Sequence, residues 1–185
     1  CIYQPFMELW VGKDLMLSFS AVICFVIYFF TRQLNALFNL YKDASGMWHE
    51  DKYRPLAAAL TNLVLNLILV QFIGIYGVIL STVLAILCVG MPWLMHNLFT
   101  MIFEKKNLWP FLRKLGWYCI VVSVSCVVCY VVCTFIDFGL VLTIIVRGMI
   151  CCLIPNLIYF LFYRNTQEYQ DSLVLANNMT KGKFS

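Results

Sequence analysis

Charge is the first thing this chain is short of: Asp, Glu, Lys and Arg together make up 12% of its 185 residues, about half the share of a soluble domain. With 63% hydrophobic and 16% aromatic residues, too little polar surface remains to cover a water-soluble globule. Carboxylates are missing where ion-driven carriers keep them. No Asp or Glu falls inside a long apolar run, and Asp14, Glu104 and Asp137 stand only at run edges. Coupling to a proton or cation calls for a buried carboxylate, so such a group would have to come from outside this chain. Histidine is reduced to His49 and His96, far apart and outside any HExxH pattern. There is also no nucleophile elbow and no phosphate-binding loop, so no enzyme, catalytic residue or cofactor is expected. Both histidines are accounted for by placement at a membrane surface. An initiating Met is lacking too, Cys1 standing in its place, and no basic, apolar, small-residue cleavage signal precedes the first apolar run. The chain is therefore expected to be a piece of a longer protein.

Cysteine, by contrast, is abundant. Of nine cysteines, Cys24, Cys88, Cys119, Cys126, Cys129, Cys133, Cys151 and Cys152 lie inside apolar runs, where cysteine packs as a small hydrophobe. Cys126, Cys129 and Cys133 share helical spacing and raise a metal or redox site. That stretch has no His and no neighbouring basic residue to hold a thiolate, so packing is the preferred reading and no metal is assigned. The net charge of +4 comes from basic residues lying between apolar runs rather than along one face. That pattern excludes a nucleic-acid footprint.

Runs of the roughly 20 apolar residues that cross a bilayer recur at 15–41, 56–73, 78–103, 115–136 and 139–163. The fold class expected is an all-α, polytopic bundle of five transmembrane helices, with 1–14 an external loop and 164–185 a cytoplasmic tail. Lys42, Lys52 and Arg54 share one loop, Lys105, Lys106, Arg113 and Lys114 another, and Arg164, Lys181 and Lys183 follow the last run. These regions alternate with turns that carry no basic residue, and Lys13 alone lies opposite. Because cytoplasmic loops accumulate Lys and Arg, the first span should run from outside to inside. Gly74-Ile75-Tyr76-Gly77 reads as a tight hairpin between the second and third spans, with Gly74 and Gly77 at its ends. Gly77, Ser81 and Ala85 form a small-residue stripe suited to close helix packing. Pro92, deep in the third span, removes a backbone donor and predicts a kink.

Two cations lie inside the spans, Arg32 and Arg147, and intramembrane charge is a functional signal by default. Tyr28, Arg32, Asn35, Asn39 and Lys42 recur at three- and four-residue spacing, a polar stripe on the inner half of the first helix that should face protein or water. Arg32 leans toward the midplane, where water is scarce and a guanidinium binds phosphate through paired hydrogen bonds. Asn62 and Asn66, one turn apart on the second helix, extend the polar surface or serve as interhelical glue. A structural contact to helix-end carbonyls or lipid phosphate is the plainer alternative for Arg32. Arg147, about 12 Å below the external end of its helix at about 1.5 Å per residue, reads as snorkelling or as a lipid contact.

The opening Gln4-Pro5-Phe6-Met7-Glu8-Leu9-Trp10-Val11-Gly12-Lys13, the loop Tyr41-Lys42-Asp43-Ala44-Ser45-Gly46-Met47-Trp48-His49-Glu50-Asp51-Lys52-Tyr53-Arg54-Pro55, and the hairpin from Asn62-Leu63-Val64-Leu65-Asn66 through Gly74-Ile75-Tyr76-Gly77-Val78 resemble the Wzx-type polysaccharide or O-antigen flippases. These belong to the exporter superfamily that also contains multidrug and toxin extrusion proteins and lipid II flippases. The resemblance covers about the first hundred residues; the last two spans match only in hydrophobicity and position. It implies a longer parent with two six-helix lobes, of which this chain is the last three helices of the second lobe plus an extra pair. It further implies alternating-access export of an undecaprenyl-pyrophosphate-linked oligosaccharide across the bacterial plasma membrane. Expected partners are that lipid-linked oligosaccharide, membrane lipids, the missing N-terminal part, a polysaccharide polymerase and glycosyltransferases. On these residues the cavity role falls to Arg32, with Asn35, Asn39, Asn62 and Asn66 as sugar or structural contacts. A drug or small-solute antiporter of the same superfamily is the alternative. From other classes come a thiol-redox membrane protein using Cys126 and Cys129, and a structural membrane fragment.

Overall fold

The structure is a computed structural model describing residues 1–136 and 138–181. Asp137 and residues 182–185, including the tail's Lys183, lie outside the described residues. Among the described residues the chain is all-helical, without a strand: α1 (Tyr3–Trp10), α2 (Phe19–Ala44), α3 (Arg54–Ile73), α4 (Ile75–Ala85), a π turn (Ile86–Gly90), α5 (Met91–Met101), α6 (Leu108–Thr134), α7 (Leu140–Tyr163) and α8 (Gln167–Lys181). Five helical stretches, Phe19–Ala44, Arg54–Ile73, Ile75–Met101, Lys105–Thr134 and Val141–Tyr163, are long and apolar enough to cross a membrane. They are the five segments expected from hydropathy, with shifted ends. Leu15 belongs to a short 3-10 turn, and the first long helix begins only at Phe19, because Ser18 caps it by accepting a hydrogen bond from the Ala21 amide at 3.4 Å. The segments expected as a loop and a tail carry the helices α1 and α8.

The contacts divide into two compact units. The central unit, Leu17–Leu112, holds α2 to α5 and the first turn of α6. Gly74 alone joins α3 to α4, at φ +57° and ψ −133°, a conformation that only glycine adopts without cost. Three residues later the helices nearly touch: a Cβ on Gly77 would fall 2.5 Å from the Leu69 carbonyl carbon and 2.7 Å from the Val70 amide nitrogen. Ser81 and Ala85 follow on the same stripe and are buried, so the small-residue spacing is a packing seam. Leu94, Leu98, Phe38, Val83 and Phe99 fill the core. Phe111 closes its lower edge, with ring centroids 6.0 Å from Phe38 and 5.3 Å from Phe99. By contrast, the apolar side chains of Leu63, Val64 and Leu67 on α3 stand exposed, as expected of a helix that is hydrophobic all round.

The third long helix, Ile75–Met101, changes its hydrogen bonding just before Pro92. Proline has no N–H and its ring crowds the carbonyl four residues earlier. Just before it, Ile86–Gly90 widens into a π turn in which the Met91 amide reaches back five residues to the Ile86 carbonyl. The helix thus passes through a π turn and continues with Pro92 in the first turn of α5.

The terminal unit, Cys1–Met16 with Arg113–Ser185, contains α1, most of α6, α7 and α8. α6 buries Val121, Ser125, Cys129 and Cys133, a run at intervals of four, which replaces the stripe expected through Cys126: that residue is exposed. Trp117 meets Phe162 at 6.4 Å and Tyr118 meets Tyr163 at 5.3 Å, pairing the start of α6 with the end of α7. Lys114 and Glu168 form an ion pair that ties α8 to α6. Pro155 lies inside α7, a second proline that leaves a carbonyl of its helix without an amide partner.

Candidate functional site

The site is built on α2 and the two helices that pack beside it. In the central unit a cleft of about 590 Å3, within the size range of small-molecule sites, is lined by Arg32, Asn35, Asn39, Asp43, Asn62 and Thr82, with small alanines between them. The alanines, Ala36, Ala58, Ala59 and Ala85, are what make room: larger side chains there would fill the gap between helices. Four of the five candidate residues thus share one surface. Asn66, one turn further along α3, is half-buried and does not line the cleft.

Each polar group has a different degree of freedom. The exposed Arg32 makes a single hydrogen bond, from Nη1 to the Tyr28 hydroxyl at 3.3 Å, and lies with its guanidinium carbon 5.8 Å from the Tyr28 ring centroid. Most of its five N–H donors therefore remain for a ligand. Asn35 leaves its buried Oδ1 without a partner. The Asn62 Oδ1 accepts from the Thr82 hydroxyl at 3.4 Å, joining α3 to α4. Asn39 is committed: its Nδ2 donates to the Asn35 carbonyl at 2.8 Å, and its Oδ1 accepts from Arg54 Nη2 at 2.7 Å.

That last bond opens onto a network that sequence reasoning missed. Asp51, only 3% exposed, receives two hydrogen bonds from Arg54 Nε, at 2.7 and 2.9 Å. Lys42 Nζ lies 3.6 Å from the same carboxylate and 4.4 Å from the Trp48 ring centroid. Lys42, expected to end the polar stripe, instead bridges this buried cluster and Asp43, whose carboxylate it meets at 3.1 Å, and the cleft wall ends at Asp43. The i, i+4 step from Asn39 to Asp43 was the available signal. The cleft consequently runs from the free guanidinium of Arg32 to an ion-paired end, where the Asp43 carboxylate lies 3.1 Å from Lys42 Nζ, about 16 Å along the α2 axis at about 1.5 Å per residue. Asp43 is the one carboxylate on the five long helices among the described residues, and it sits in the last turn of α2.

Pro92 lines a separate shallow groove with Cys88, Trp93 and His96, and Gly74 and Gly77 lie in the α3–α4 connection; none of the three lines the cleft. Arg147 donates from Nη2 to the Ile136 carbonyl at 2.9 Å and from Nη1 to the Cys1 carbonyl at 3.4 Å, so it braces protein segments instead of reaching freely for a surface. Compared with protein-family models, with curated proteins and with solved structures, the chain finds no match.

Proposed function

We propose that this chain is a C-terminal part of a bacterial flippase that moves undecaprenyl-pyrophosphate-linked oligosaccharide across the plasma membrane by alternating access, for capsular, O-antigen or exopolysaccharide synthesis. The observation that carries the reading is the cleft. It offers one under-used guanidinium on a helix long and apolar enough to span a membrane, followed by amide groups suited to hydroxyls. A pyrophosphate needs a strong, geometrically forked donor in a region poor in water. A sugar needs groups that both donate and accept, which Asn supplies. The resemblance of the 41–55 loop and of the glycine hairpin to polysaccharide flippases adds the substrate class.

The one carboxylate on the five long helices among the described residues, Asp43, sits in the last turn of α2 and is paired with Lys42, which weighs against a self-contained ion-coupled drug antiporter. Asp51 is buried between two cations, Lys42 and Arg54, and does not line the cleft. In this reading the loops bearing Lys42 to Arg54 and Lys105 to Lys114, and the segment from Arg164 onward, face the cytoplasm, which puts Asp43 and the Asp51 cluster at the inner end of the cleft and Arg32 deeper in.

The test is export by the complete protein carrying Arg32→Ala. Lipid-linked oligosaccharide should accumulate on the inner leaflet, and surface polysaccharide should fall at least tenfold while the protein still inserts at normal abundance. Arg32→Lys should restore only part of the activity, because a single ammonium does not reproduce the fork. Normal surface polysaccharide in Arg32→Ala would remove Arg32 from the mechanism.

A further inference from the structure

Three thiols far apart in sequence meet in the terminal unit. The sulfurs of Cys1, Cys133 and Cys151 all lie within 4.8 Å of one another. Cys133 is 2% exposed near the end of α6, Cys151 lies in the middle of α7, and Cys1 precedes α1, which packs on α7. The buried Cys129, one turn before Cys133, continues the same face.

The chemistry of this group is restrictive. It contains neither carboxylate nor imidazole, so it does not suit cations such as Mg2+ or Ca2+ that demand oxygen ligands. Zn2+ prefers four ligands in a tetrahedron. A soft ion such as Cu(I) favours thiolates, and three sulfurs suffice for it. Three thiolates in an apolar helix pair also need positive charge beside them. Arg147 provides it: it sits one turn before Cys151 on the same face of α7, its two terminal nitrogens hold the Cys1 and Ile136 carbonyls, and its Nε is buried without a partner. The intramembrane arginine and the three sulfurs thus belong to one arrangement, and simple snorkelling does not explain it.

We propose that Cys1, Cys133 and Cys151 form a three-thiolate site for Cu(I), with Arg147 as the positioning residue that offsets part of its negative charge. Binding replaces three thiol protons, released to solvent, by one metal ion and transfers no electron. The site links α6, α7 and the segment before α1 as a clip, independently of any transport activity.

The experiment uses the full chain purified in detergent under reductant, titrated with Cu(I) against a chromophoric competitor and with Ag(I) as an air-stable substitute. One equivalent should bind, with a thiolate-to-metal absorption band and three sulfur neighbours by X-ray absorption. Cys133→Ala and Cys151→Ala should each weaken binding at least tenfold, whereas Cys24→Ala and Cys88→Ala should not. Arg147→Gln should weaken binding about tenfold, the scale of lost outer contacts, while the three sulfur neighbours persist. Should the cysteine variants fail to insert, the unaltered chain still decides: bound Ag(I) should protect the exposed Cys1 and the half-buried Cys151 from a membrane-permeant maleimide, as read by mass spectrometry. Unchanged binding in the variants, no protection in the unaltered chain, preference for Zn2+ over Cu(I), or isolation with a Cys133–Cys151 disulfide would each overturn the assignment.

Discussion

Gly74 and Gly77 show how two identical residues three positions apart are required for different reasons. Gly74 has open space around the position of a Cβ, but its backbone at φ +57° disfavours any L side chain. Gly77 has no such backbone demand; what it lacks is room, since a Cβ would enter the backbone of Leu69 and Val70. Backbone atoms in a helix cannot rotate away, so Gly77→Ala should push α4 off α3 and destabilise the protein by about 2 kcal/mol, the scale of overpacking, with Gly77→Val worse. Unfolding monitored in detergent by helicity measures this, and a Gly77→Ala protein of unchanged stability would show that the seam is looser than described. Residue spacing alone marked both glycines as a hairpin, because turns and glycine go together. It carried no information on which one is sterically filled, since that depends on where the neighbouring helix lies.

At the scale of an element, the connection from α2 to α3 is held from inside by charge. Asp51 is buried between Arg54 and Lys42, whose side chains are 9% and 11% exposed, and Arg54 reaches across to Asn39 in the cleft wall. Taking away one member of such a cluster leaves buried charge uncompensated, at a cost of about 3 to 5 kcal/mol. Asp51→Asn should therefore loosen the loop between Ser45 and Tyr53, seen as faster amide exchange or protease cleavage there, and should free the Asn39 side chain. Cleavage and exchange equal to those of the unaltered protein would make the cluster incidental. The loop residues stood in plain view in the sequence as a charged stretch, but a charged stretch is usually a solvated one. Only the fold shows that Asp51 points inward. The π turn before Pro92 is similar: proline announces an interruption, yet whether the helix breaks, bends or widens is decided by how its two halves pack.

Across the whole molecule, the arrangement of basic loops makes a prediction about sidedness. A cysteine placed at Ile75, in a chain whose native cysteines are replaced, should react with a membrane-impermeant reagent applied from outside the cell. One placed at Lys106 should react only after the membrane is opened. Both sites are exposed, so access is governed by the bilayer alone. Labelling in the opposite sense would invert the topology and put the Asp43 end of the cleft outside.

The number of membrane-length helices and their approximate limits were determined by composition and run length alone, because the cost of placing polar groups in hydrocarbon depends on residue type and not on partners. The polar stripe on α2 was legible for the same reason, helical periodicity being a local property. What tertiary structure decided was everything that requires a neighbour: that Asn62 joins the stripe while Asn66 does not, that Lys42 bridges Asp43 and Asp51 while Asp43 lines the cleft, and that Cys133 meets Cys1 and Cys151 instead of Cys126. Such meetings depend on how separate helices are set beside one another, which residue spacing within one helix does not encode.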